Sequence, residues 1–165
     1  MSVIDFTIVV FTRAPIWVWP LFAWMVWTGF GATKQRNSPI WPYALLPAFV
    51  ILAIQNRLDA PPETWAAFTA AWMAAAIWGN LFQQGLILAR TPGRVEVRGE
   101  WVTLIALVAI FALNFTMGVA KGAAPDLAAD PTFSAATGAL GGALSGQFAG
   151  RSWRVMRTRP EPAAM

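Results

Sequence analysis

The chain has 165 residues, of which 57% are hydrophobic and only 12% charged, with a mean hydropathy of +0.52. An ordinary globular domain carries roughly a quarter charged residues, so this balance points away from a water-soluble fold and toward a membrane domain of about four to six spans. The net charge is +4, and with no cysteine and no histidine the chain lacks disulfides, a thiolate nucleophile and the commonest general base, metal ligand and haem ligand, so no cofactor is expected.

Val3 to Phe11 is apolar but too short to span, and Asp5 and Arg13 bracket it. It reads as an interfacial or re-entrant piece, or as a two-turn extension of the first span. No small-residue cleavage site is present, so the N-terminus is expected to be retained. Five apolar segments follow, at about 14–33, 39–56, 63–89, 101–120 and 132–150. Pro15 suits a first helical turn and Pro20 a kink. Ser38-Pro39 and Asp130-Pro131 read as N-cap and first helical residue, and Thr91-Pro92-Gly93 as a stop. Between the third and fourth segments, Gly93-Arg-Val-Glu-Val-Arg-Gly99-Glu-Trp101 alternates apolar and charged residues, the pattern of a short extended segment. These boundaries predict an all-α bundle of about five transmembrane helices within one domain, 1–153, and a basic, flexible tail at 154–165.

Lysine and arginine set the orientation. Nine of the twelve lie in 33–39, 90–101 and the C-terminal tail; the others are Arg13, Arg57 and Lys121, in company with Asp5, Asp59, Glu63, Asp126 and Asp130. The expected topology is N-terminus outside and C-terminus in the cytoplasm. The basic pI near 10.7 then reflects topology, and no nucleic-acid partner is expected. Trp17, Trp19, Trp41, Trp65, Trp101 and Trp153 fall near span ends, where amphipathic rings prefer the interface.

Gly138, Gly142, Gly146 and Gly150 recur every four residues. On a helix they stack into a smooth groove, a glycine zipper that lets another backbone approach closely in a bilayer. The expected mate is the third span, through Ala70 and Ala74 with Ala66, Ala67, Ala71 and Ala75; a homodimer seam is the alternative. Polar residues within the spans, Asn80, Gln83, Gln84, Asn114 and Gln147, with Thr116 and Ser145, need partners in lipid. They read as interhelical hydrogen-bonding groups or as a polar pocket for a headgroup or small ligand. Arg151, Arg154 and Arg157 beside Trp153 suit anionic lipid headgroups. No acid or base lies deep in a span, which argues against an ion-coupled carrier, and no motif for nucleophilic catalysis, phosphate cradling or metal binding is present.

Pro15-Ile-Trp-Val-Trp19, the 93–101 segment, Ile110-Phe-Ala-Leu-Asn-Phe-Thr-Met-Gly118 and Leu144-Ser-Gly-Gln-Phe-Ala-Gly-Arg151 together resemble a family of small proteobacterial inner-membrane proteins carrying a domain of unknown function. A more distant likeness is to CcdC-like membrane proteins, linked by name to cytochrome c maturation, although this chain has neither the cysteine nor the histidine that thiol or haem handling uses. The resemblance implies a multi-pass protein of the bacterial cytoplasmic membrane and carries no activity. The expected function is a non-enzymatic protein that binds or scaffolds another membrane component through helix packing, with membrane lipids and a membrane-protein partner or second copy as its contacts. The alternative is a small permease or channel-like protein for a neutral or lipid-like molecule.

Overall fold

The computed structural model describes residues 16, 18–55 and 57–160. The expected interfacial piece at 3–11 lies outside them, as do Trp17 and residues 161–165. In chain order the elements are α1 (Val18–Ala32), β1 (Arg36–Pro39), α2 (Trp41–Leu45), α3 (Ala48–Gln55), α4 (Pro62–Gln84), β2 (Ile87–Thr91), β3 (Arg94–Val97), α5 (Val102–Ala123), α6 (Pro125–Ala129) and α7 (Pro131–Arg157).

The expected all-α bundle of five spans is overturned on two counts. First, a three-stranded antiparallel sheet of order β1-β3-β2 occupies the stretches read as loops and helix ends. Second, among the described residues only α5 is long and apolar enough to cross a membrane. The reasons are local. With 15 residues, α1 reaches about 22 Å, short of the roughly 30 Å hydrocarbon core. The second segment breaks at Leu46-Pro47 into helices of 5 and 8 residues, because a proline removes a helical hydrogen bond and clashes with the preceding turn. The 23 residues of α4 and 27 of α7 suffice in length, but both are too rich in small and polar residues.

Several ends also move. Ser38-Pro39 belongs to β1, and α2 starts at Trp41 instead. The third helix stops at Gln84 rather than residue 89, since Ile87–Thr91 pairs with β3 across a two-residue turn. In that turn Pro92 supplies a fixed φ and Gly93 takes φ 80°, a conformation open mainly to glycine. At Asp130 the cap forms as its residue type suggests: the carboxylate accepts from the Phe133 amide at 2.8 Å, with Pro131 opening α7. That helix continues to Arg157, so the first residues of the expected flexible tail are helical. Arg154 and Arg157 there complement the negative end of the helix dipole.

The most extensive packing joins α4 and α7; a second pair is α1 with α5. A Cβ added to Gly138 would press on Thr64, to Gly142 on the Phe68 carbonyl, to Gly146 on that of Trp72 and to Gly150 on that of Ala76. Both sets ascend together in steps of four, so the two helices run parallel with their backbones in contact. Such an approach brings glycine Cα–H groups to facing carbonyls. In the other pair, Gly29 abuts Leu104, and Phe22 lies 4.5 Å from Phe111 between ring centroids. Tyr43, Val95, Val97 and Val155 form a buried cluster with Leu46 and Ile87 against it, so the sheet rests on α2 and the end of α7. Ser152 Oγ donates to the Tyr43 carbonyl and Arg90 Nη1 to that of Val155, which fastens both to the same seat.

Candidate functional site

Where α4 ends, α5 begins and α7 nears its last turns, four polar side chains meet. Arg151 donates from Nε to Gln83 Oε1 at 2.9 Å, from Nη1 to Thr103 Oγ1 at 2.9 Å and from Nη2 to Glu100 Oε1 at 2.8 Å. Its guanidinium also lies 5.8 Å from the Phe82 ring centroid. Glu100 accepts from the Thr103 amide at 2.9 Å and from its hydroxyl, so one carboxylate both pairs Arg151 and satisfies the first turn of α5. The side chains of Arg151 and Glu100 are only 4% and 8% exposed, and Gln83 is fully buried. Burial by itself raises the Glu100 pKa. The Arg151 charge and the bonds from Thr103 and Arg151 outweigh that penalty and hold the carboxyl below its usual range.

A second buried cation holds the opposite end. Arg57 is 6% exposed and donates to the carbonyls of Ala53 at 2.5 Å and Thr137 at 2.6 Å, 6.0 Å from the Phe68 ring centroid. Its guanidinium fills the space where a Gly141 side chain would stand. Burial pushes its pKa below the ordinary arginine value. There too, Thr64 and Ser134 hydroxyls bond across the α4–α7 seam at 2.8 Å.

The residues singled out from sequence fall as follows. Gly138, Gly142, Gly146 and Gly150 face α4 within the same chain. Ala70 and Ala74 do not meet them: both are exposed, because the facing stripe is Thr64, Phe68, Trp72 and Ala76, offset by two residues. Of the five pocket candidates, Gln83 and Gln147 are buried and Asn80 is half-buried beside Gly150. Gln84 and Asn114 are exposed, Asn114 donating to the Ile110 carbonyl at 2.8 Å. These five do not line one cavity, since they sit on different faces of α4, α5 and α7. Arg151 is corrected most sharply. It lies buried in the helix junction and is not free for a headgroup, whereas Arg154 is half-buried and Arg157 exposed, 4.6 Å from the Trp153 ring centroid. Glu100, Thr103 and Arg57 were not foreseen. Glu100 at the head of an apolar helix is an acid where the helix dipole favours one, but the carbonyl partners of Arg57 leave no trace in the sequence.

No protein-family model, curated protein or solved structure matches this chain.

Proposed function

We propose that this chain is a multi-pass protein of the bacterial cytoplasmic membrane, without enzymatic activity, that binds another membrane component through its outward helix faces. The observation that carries this is α5. It is 22 residues long and apolar enough to cross a bilayer, yet only 11% of its most apolar stretch is buried. The core helix of a soluble protein is covered; an exposed apolar helix of this length suits hydrocarbon. The long pair α4 and α7 supports the same setting. Across its seam Arg151 bonds Gln83 and Thr64 bonds Ser134, and the outer side of α4 presents Met73, Ile77, Trp78 and Leu81, all exposed. Polar groups paired across the seam lower the average hydropathy of the two helices while being kept out of lipid themselves. Because the glycine row is taken up within the chain, a partner meets these outer apolar faces instead.

Alkaline carbonate extraction followed by crosslinking and affinity purification in mild detergent tests both halves. The chain should stay with the membrane and bring down one membrane component at fixed stoichiometry. A chain released by carbonate overturns the membrane assignment, and one that purifies alone from crosslinked membranes overturns the scaffold.

A further inference from the structure

Beside the sheet, the last turns of α1 border an open furrow of about 470 Å³ lined by Trp27, Thr28, Phe30, Gly31, Thr33 and Lys34. Its walls are aromatic and unusually bare: Trp27 is 76% and Phe30 50% exposed. Phe30 meets Trp101 edge-on at 6.2 Å between ring centroids, which carries the aromatic wall across to the start of α5. Glycine at 31 leaves the floor open, with nothing within 4 Å of where a Cβ would stand.

The polar rim carries one cation. Lys34 is the charged lining residue. The Glu100 amide donates to the Ala32 carbonyl at 2.9 Å, and Gly99 sits so close to Thr33 and Lys34 that a Cβ would strike their backbone. That seating fastens the loop before α5 to the rim beside Lys34. Of the two acids in this stretch, Glu100 is neutralised by Arg151, while Glu96, to which Gln35 donates at 2.8 Å, keeps its charge. A furrow with bare aromatic walls and a positive lip, placed where an apolar helix gives way to a polar sheet, matches a molecule that is apolar along its length and anionic at one end.

We propose that this furrow binds one anionic phospholipid, its phosphate at Lys34 and its chains along Trp27, Phe30 and Trp101. This rests on the membrane assignment above and adds the class of lipid. The phosphate is what the lip recognises, and the apolar walls commit the site to a lipid rather than to free phosphate.

Native mass spectrometry of the full chain in a mild neutral detergent, titrated with phosphatidylglycerol or phosphatidylcholine, tests the site. Wild type should carry one phosphatidylglycerol at concentrations where phosphatidylcholine is not retained. Lys34→Gln should weaken that adduct about fivefold, the effect of one basic residue near an anionic surface. Trp27→Ala should weaken it too, and Lys121→Gln, at the other end of the molecule, should leave it unchanged. Equal retention of both lipids, an unaffected Lys34→Gln variant, or displacement by millimolar inorganic phosphate overturns the proposal. Carbonate extraction of the same variants separates the two failures: a released chain overturns the membrane assignment, while an anchored chain that takes both lipids alike overturns only the lipid site.

Discussion

Arg151 takes a guanidinium into the helix junction, so its burial is tolerable only while its acceptors stay in place. Three side chains supply them from two helices and the loop before α5, and Glu100 alone brings the compensating charge. Removing one partner of such a buried pair typically destabilises by about 3–5 kcal/mol, because the other charge is left unanswered. Arg151→Met and Glu100→Gln should each lower the thermal midpoint in detergent, followed by tryptophan fluorescence, and the double variant should recover part of the loss. Singles that unfold like wild type would mean the pair is open to water. The pH dependence has a definite sign. A carboxyl whose folded pKa is depressed stabilises the fold above its ordinary range and ceases to do so as pH falls through its folded value. Wild type should therefore lose stability on acidification below the usual carboxylate range, and Glu100→Gln should lose less over the same interval. Parallel acid profiles in the two proteins would overturn that assignment.

Between elements, the α4–α7 seam makes opposite demands on glycines that look alike in sequence. At Gly142, Gly146 and Gly150 even a methyl group would come within 3.0 Å of a facing carbonyl, and backbone cannot swing aside as a side chain can. Gly142→Ala and Gly146→Ala should each cost about 1–3 kcal/mol, typical of overpacking, and the leucine variants more. Within α5, Gly118 has open space around it, so Gly118→Ala should be neutral or stabilise by up to about 1 kcal/mol through helix propensity. Chemical unfolding of the five single variants checks both signs, and a destabilising Gly118→Ala or a neutral Gly146→Ala would contradict the packing described. The four-residue spacing was legible in the sequence because it is a property of one helix. Its mate was not: choosing the alanine face over the Phe68–Trp72–Ala76 face requires the rotation of α4, which tertiary packing sets. The sheet stayed hidden for a related reason. Arg36–Pro39 is too short and polar to show strand periodicity, and it becomes a strand only because Arg94–Val97, almost sixty residues later, offers it a partner. By contrast, the alternation of Gly93–Trp101 and the Asp130-Pro131 cap are local chemistry, and could be read directly.

Across the whole molecule, charge is divided by the helices. Of the eleven described lysines and arginines, all but Arg57 and Lys121 lie at the sheet end or on the helix ends beside it. Asp59, Glu63, Asp126 and Asp130 accompany those two at the other end. Pairing of β1 with β3, and the seating of Val155 under the sheet, collect three basic stretches that are far apart in the chain into one face. Exposed Trp41, Trp101 and Trp153 ring the same end, where amphipathic rings and anionic headgroups meet. In the membrane setting proposed above, cationic segments resist translocation, so the sheet end should face the cytoplasm and the 124–130 turn the opposite compartment. The parallel run of α4 and α7 demands that α5 return between them, which places Ala123 and Pro131 on one side and Trp101 and Arg157 on the other. A compartment-sensitive reporter joined after Met165 should therefore be active in the cytoplasm, while the same reporter inserted after Asp126 should be active only outside it. Activity of both reporters in one compartment would mean that α7 does not cross, and the apolar face of α4 would then need cover from protein rather than from lipid.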